Sequence, residues 1–312
     1  MANTKHHRSK KQQWGQFMTP LVLSKRIVRS LDIKKGGYVL EPSFGDGSFV
    51  FPLIEKMLPL YNGNIQDVVD HLYAIEIDPL LYHKFLDKFF AKYGQIENHN
   101  FILKDFFKVE FPFRLKFSWI IGNPPFGGTI DLTIQDKLDK LYGKRDGTKI
   151  KKETYSFFVV RSVDLLRSGG RLVFICSDSF LTINTMKGLR MFLYRRGSTD
   201  ITTLNEFSEE TTYPMVLLDF TTKTSSVVNV DDINVRCPAK TPNFSWAPNP
   251  YENAFGYGEL LSDYIVCSSG MTIGKNEYFV RKIQNGKIEE PYIFEFYDKP
   301  ITLKEELQNA RL

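Results

Sequence analysis

Phe117-Ser-Trp-Ile-Ile-Gly-Asn-Pro-Pro-Phe126 reads as an apolar strand that ends in an amide, two prolines and an aromatic ring. The prolines fix φ and keep the residue before each of them out of the helical region, so the loop is extended and its carbonyls are set in advance. Such an arrangement suits the task of making a planar exocyclic amine nucleophilic. The lone pair of an aromatic amine is delocalised into its ring, and acceptors on both N–H hydrogens turn it outward. The side-chain carbonyl of Asn123 and the backbone carbonyl of Pro124 are the candidate acceptors. Phe126 would stack on the face of the same base. Alone, the stretch reads equally as loop punctuation after a buried strand.

Outward from this stretch, short apolar segments alternate with helical patterns. Tyr38–Leu40 precedes a helix over Ser48–Leu60, and Leu72–Ile77 precedes one over Leu80–Lys92, with further strands at Phe101–Leu103 and Trp119–Ile121. A helix over Tyr155–Leu166 is followed by Ser168-Gly-Gly170 as its stop and by a buried strand at Arg171–Cys176. Met186–Arg195 reads as a helix, and Ile201–Leu204 and Val216–Thr221 as strands. This rhythm predicts an α/β, Rossmann-like doubly wound parallel sheet whose ligands sit beyond the strand C-termini. Residues 1–14 read as a basic tail, 15–222 as the catalytic domain, and 223–312 as a small module rich in proline and aromatic residues.

With 312 residues and 42% hydrophobic content, the chain can bury a full α/β core. Neither a long uncharged apolar run nor an apolar segment in the basic N-terminus is present, which predicts a soluble, cytoplasmic protein without membrane contact. Cys176, Cys237 and Cys267 are scattered, so reduced thiols and no metal are expected. The net charge of +5 is concentrated in the N-terminal tail and in Lys137 to Lys152. Lys144, Arg145, Lys149, Lys151 and Lys152 are candidate phosphate contacts, because they follow the proposed base-handling loop.

Glu41-Pro-Ser-Phe-Gly-Asp-Gly-Ser48 follows the first strand, and Gly45 and Gly47 let a ligand approach the backbone. The third glycine of a dinucleotide fingerprint is missing and no Walker loop occurs, which favours a nucleoside ligand without phosphate. Glu76, at the end of the second strand, can accept from ribose hydroxyls, while Asp78 before Pro79 suits a helix cap. Asp105, after the third strand, can accept from a purine amino group, with Phe106 or Phe107 beside the ring; a turn residue is the competing reading.

In residue type and order this series resembles the S-adenosylmethionine-dependent N6-adenine DNA methyltransferases in which the cofactor motifs precede the catalytic motif, as in type II restriction-modification systems. Gly15-Gln-Phe-Met-Thr-Pro20 is similar to the family's N-terminal motif, whose threonine, here Thr19, contacts the methionine part of the cofactor. The resemblance implies S-adenosyl-L-methionine as cofactor, bound by Thr19, Glu41, Ser43, Gly45, Gly47, Glu76, Asp105 and Phe106. It implies catalysis by Asn123, Pro124 and Phe126, and a second aromatic opposite the flipped base near Phe207 or Tyr213. The implied substrate is N6 of adenine in double-stranded DNA, and the implied partners are a cognate restriction endonuclease or a separate specificity subunit. Ser269 to Phe279 is similar to a turn of the family's target-recognition domains, in a short C-terminal unit. Two other readings compete: N-methylation of an RNA base or a protein glutamine by the same fold, and a non-catalytic DNA-binding subunit of a modification complex.

Overall fold

A computed structural model describes residues 18–125, 132–145, 147–151, 153–204, 215–223, 226–235 and 246. Phe126, Lys152, Phe207, Tyr213, Cys237, Cys267 and the turn at 269–279 lie outside the described residues. The chain divides into two compact units, Met1–Asn249 and Pro250–Leu312, and all structural statements below concern the first.

Helix α1 (Leu21–Ser30) leads to β1 (Val39–Glu41), α2 (Val50–Met57), a 3-10 turn (Leu58–Tyr61) and α3 (Ile65–His71). Then come β2 (Leu72–Glu76), α4 (Pro79–Tyr93), β3 (Asn100–Leu103) and β4 (Phe117–Gly122). After α5 (Leu132–Tyr142), the short strands β5 (Lys144–Arg145) and β6 (Thr148–Lys149) form an antiparallel hairpin. The order continues with α6 (Thr154–Leu165), β7 (Leu166–Ser177), α7 (Ser179–Thr182), α8 (Lys187–Arg196), β8 (Gly197–Leu204), β9 (Met215–Thr222), β10 (Val228–Val230) and β11 (Ile233–Asn234).

The large sheet has strand order β11-β10-β8-β9-β7-β4-β1-β2-β3. Strands β1 to β4 and β7 pair in parallel, and β9 runs antiparallel between β7 and β8. The order reverses between β1 and β4, which makes the gap beyond their C-termini the ligand position of such a sheet. Side chains alternate between two cores. Leu40, Ile120, Leu172 and Phe174 pack on one face. Val39, Ile121, Val173 and Ile175 pack on the other. Burial on both faces explains the continuous apolar runs, since a sheet covered on one side would alternate with polar residues.

Several boundaries differ from the sequence-based expectations. The helix expected over Ser48–Leu60 is α2 plus the 3-10 turn, and α3 was not expected at all. Asn64 caps α3 by accepting from Gln66 N at 3.0 Å. The expected stop at Ser168-Gly-Gly170 belongs instead to β7, where the register with β4 jumps from Phe117↔Leu166 to Trp119↔Arg171. Gly169 takes a φ of 69° in that irregularity. The sheet also passes the expected boundary at residue 222, because Val228–Val230 pairs in parallel with β8 and Trp246 is buried in the core.

Candidate active site

Four strand ends meet at one edge of the sheet. Glu41 ends β1, Glu76 ends β2, Leu103 ends β3 and Gly122 ends β4; Glu76 is in register with Leu103, and Leu40 with Ile120. The loops that follow them carry the residues expected from the sequence. The fold therefore brings together Thr19, Glu41, Ser43, Gly45, Glu76 and Asn123.

Asn123 Nδ2 donates to Thr19 Oγ1 at 3.1 Å, across 104 positions of sequence. An amide has one donor end and one acceptor end, so this bond fixes which end is which and turns the carbonyl to the other side. Ser43 Oγ donates to the backbone carbonyl of Asn123 at 3.5 Å, a long bond that ties the β1 and β4 loops together. Thr19 and Pro124 are buried, and Asn123 and Pro125 are half-buried. Thr19→Val should remove the acceptor at constant shape and lower turnover by about tenfold or less, the worth of one neutral hydrogen bond. Thr19→Ser should keep most of it; equal turnover rates for Thr19→Val and wild type would separate Thr19 from the amide.

Glu41 is fully buried. Its Oε1 accepts from Ser43 N at 3.3 Å, whereas Oε2 has no hydrogen-bond partner among the described residues. Desolvation by burial raises the Glu41 pKa well above the usual carboxylate range, the Ser43 N–H lowers it, and the nearby Glu76 charge adds to the rise. Gly122 makes room for this carboxylate, because a Cβ there would collide with Glu41 Oε1.

Glu76 is also buried, and its carboxylate is occupied by backbone. Oε2 accepts from Gly45 N at 2.8 Å, and Oε1 from Ile77 N and Asp78 N at 2.8 Å each. Burial raises its pKa, and the three N–H donors oppose that rise. In the structure Glu76 braces the glycine loop against the end of β2. Asp78 caps α4 as expected, with Leu80 N at 2.8 Å.

Gly45 and Gly47 take φ values of 58° and 87°. A Cβ at Gly47 would lie 2.6 Å from Phe85 Cδ2, so this position needs glycine for conformation and for space. Gly47→Ala should lower stability by on the order of 1 kcal/mol or more, read as a lower midpoint in thermal unfolding.

Asp105 Oδ1 accepts from Phe107 N at 3.0 Å, and its other oxygen meets Lys108 at 3.7 Å, so the carboxylate does perform the turn role. Phe106 departs from the expected place beside a ligand ring. It is 2% exposed, with its centroid 5.0 Å from Phe158 and the Arg161 guanidinium 4.9 Å from its ring. Its size and apolarity are satisfied by the core between α6 and the sheet. Ile77, half exposed beside Glu76, supplies an apolar face at that edge that the sequence did not single out. Arg161 was missed as well. It donates to the carbonyls of Phe107 and Val109 and to Tyr142 Oη, so it clamps the loop after Asp105 to the end of α5. A charged residue directly after the apolar run Phe157-Phe158-Val159-Val160 was the available signal.

The basic stretch divides. Arg145 pairs with Asp164 at 3.2 Å and stacks on Tyr142, and Lys151 pairs with Glu153. Lys144 and Lys149 are exposed and lie directly opposite each other in the hairpin. The hairpin itself is fixed, since a Cβ at Gly188 of α8 would collide with the Lys149 carbonyl and Ile150 is fully buried.

A 3-2-1-4 run of parallel strands, one reversed strand further along, and an Asn-Pro-Pro loop at the switch point define a Rossmann-like α/β methyltransferase fold. Residues 62–212 match the Eco57I restriction-modification methylase family, so this part of the chain is similar to that family. The type II methyltransferase M.HincII of Haemophilus influenzae is 29% identical over 238 residues, covering 73% of this chain and 40% of its own length. M.TthHB8I of Thermus thermophilus is 29% identical over 198 residues, covering 62% of this chain and 41% of its own. The chain thus spans about two fifths of the length of these relatives. Among solved structures, a DrdV–DNA complex is similar with a TM-score of 0.58 at 17% identity, over 78% of this chain and 32% of that one. The M protein of the type I restriction enzyme EcoKI is similar with a TM-score of 0.52 at 17% identity, over 74% and 46%. Both likenesses are of fold. Among the described residues, no helix is long and apolar enough to cross a membrane, and no His, Cys, Asp and Glu cluster could hold a metal.

Proposed function

We propose that this domain methylates N6 of an adenine flipped out of double-stranded DNA, with S-adenosyl-L-methionine as donor. The observation that carries the reading is the Thr19–Asn123 bond, which orients an amide at the switch point beyond β1 and β4. The names of the relatives support a DNA methyltransferase, and the choice of adenine rests on the Asn-Pro-Pro loop.

The residues present fit the cofactor. Glu41 offers a desolvated carboxylate with one oxygen that no described residue bonds, which suits a cationic group. Gly45 and Gly47, at positive φ and packed against Met18 and Phe85, turn the β1 loop sharply at the end of the strand where the cofactor would lie. The bound cofactor supplies an electrophilic methyl on a sulfonium, for direct transfer to nitrogen. In this assignment Thr19 and Glu41 face the methionine end, and Ser43 stands with them in the β1 loop. Glu76 shapes the ribose subsite through the loop it braces, and Asp105 borders the adenine subsite.

Asn123 Oδ1 and the Pro124 carbonyl accept the two hydrogens of the target amine and turn its lone pair toward the donor. Their bonds strengthen as the nitrogen becomes cationic, so they stabilise the transition state more than the ground state. Phe126 stacks on the base, and Phe207 or Tyr213 covers its other face. Flipping costs a few kcal/mol, which stacking and hydrogen bonding offset. Lys144 and Lys149 are the phosphate contacts of the basic hairpin, because Arg145 and Lys151 already hold carboxylates. The residues after Asn249 serve target recognition, and a cognate endonuclease or specificity subunit completes the system.

Transfer of labelled methyl groups to DNA, RNA and release-factor protein in parallel tests the reading. Label in DNA, recovered as N6-methyladenine, is the expected result. Label in RNA or protein alone, or in another base, would overturn the assignment.

A further inference from the structure

At the sheet's other edge, cations from separate parts of the sequence converge. A groove of about 420 Å³ before β1 and β4 is lined by Lys34, Lys35, Lys116 and Arg167, together with Gly36 and Gly37. A second groove, of about 360 Å³, shares Arg167 and is lined also by Arg195, Arg196 and Lys223. Among the described residues Asp164 is the one carboxylate lining either groove, and it is already held by Arg145 and Arg196. Asp32 pairs with Lys34 at 3.3 Å, with both side chains largely exposed. Counting both carboxylates against the seven lining cations leaves an excess of five, as large as the formal net charge of the whole chain. No sequence window reveals this, because the cations come from five separated segments.

Helix termini explain part of the cluster. Arg195 and Arg196 close α8, and Lys116 Nζ donates to the Asp164 carbonyl near the end of α6 at 2.6 Å, where the helix dipole favours positive charge. Lys34, Lys35 and Lys223 end no helix. Arg167 is held at the wall common to both grooves by its Nε bond to Ser118 Oγ at 2.8 Å. Its Nη1 also donates to the Ser168 carbonyl at 3.4 Å, so the Nη2 side of the guanidinium is what it offers to a phosphate oxygen.

The chemistry of the lining decides the class of partner. Trp119, Val163 and Leu166 in the walls are buried and Tyr38 is half-buried, so the walls present charged side chains around only a small apolar surface, without the large apolar centre of a protein interface. Interfaces with nucleic acid are polar and strongly positive. In the loop leading to Lys116, Phe113 is 90% exposed, with the Arg114 guanidinium 5.3 Å from its ring, a surface on which a base can stack.

We propose that the N-terminal edge of the sheet is a second phosphodiester-binding face, which holds a nucleic-acid backbone apart from the catalytic edge. It stands independently of the methyl-transfer reading, and its test does not use turnover. Binding of a labelled duplex oligonucleotide to the full chain would be followed by anisotropy between roughly 50 and 200 mM salt. The variant Lys34→Gln/Lys35→Gln/Lys223→Gln should bind at least tenfold more weakly, and its log–log salt dependence should be shallower by about 2 to 3. The Lys→Arg triple at the same positions should retain both affinity and slope. Unchanged affinity and slope in the glutamine triple would overturn the proposal. So would DNA binding kept by that variant while binding of a poly-glutamate peptide is lost, since the face would then belong to an acidic protein. Equal loss in the arginine triple would also overturn it, because charge would not be what binds.

Discussion

Asn123→Ala is expected to reduce kcat by about 10² to 10³, the cost of removing one preorganised acceptor that acts on developing charge. The magnitude follows from where the amide sits. It leaves a buried strand, is oriented by the Thr19 hydroxyl at 3.1 Å, and has its backbone carbonyl held by Ser43. Nothing has to reorganise when the target nitrogen gains charge. Cofactor affinity should change little, because the groups assigned to the cofactor, apart from Thr19, lie on the β1, β2 and β3 loops. The measurement is single-turnover methylation with saturating DNA beside calorimetry of cofactor binding. Turnover within tenfold of wild type would remove Asn123 from the chemistry. A matching fall in cofactor affinity would recast it as a binding residue.

The strand ends of this site were legible in the sequence because each is an apolar run stopped by a chemically distinct residue: Glu41 after Tyr38–Leu40, Glu76 within Ala74–Pro79, Asn123 after Trp119–Ile121. Periodicity reports burial on both sheet faces, and the residue that breaks it marks the edge. Contacts that join distant segments leave no such trace. The Thr19–Asn123 bond, the fit of Gly122 against Glu41 and the Gly45 N–H on Glu76 each join residues far apart in sequence, whereas the Ile77 and Asp78 donors on Glu76 are local. Phe106 shows the opposite limit, since an aromatic ring beside an expected ligand and one in the core look identical in sequence. The extension of the sheet to Asn234 was hidden by a drop in helical periodicity after Thr222, which marks the loss of helices but not of strands.

Glu41→Gln should weaken cofactor binding while stabilising the ligand-free protein. Burial disfavours the ionised carboxylate, so the folded pKa lies well above the unfolded value. For an acid shifted in that direction, the folded state binds the extra proton. Its contribution to stability is complete below the unfolded pKa of about 4.3 and is lost as pH rises through the folded pKa. Glutamine keeps an acceptor for Ser43 N and has no charge to desolvate. The variant should therefore match wild type near pH 4 and unfold at a higher temperature above that window. A cationic ligand reverses the balance, because it favours the ionised form. Binding to wild type should then release a proton, with affinity rising with pH across the same window. Removing a charge-assisted bond costs about 1.5–3 kcal/mol, so the glutamine variant should bind the cofactor about tenfold to hundredfold more weakly and without proton release. Calorimetry in two buffers of different ionisation enthalpy reads the proton directly, and thermal unfolding from pH 4 to 8 reads the stability. Undiminished affinity with identical heats in both buffers would show that Glu41 supports the β1 loop and does not meet the cationic part of the ligand.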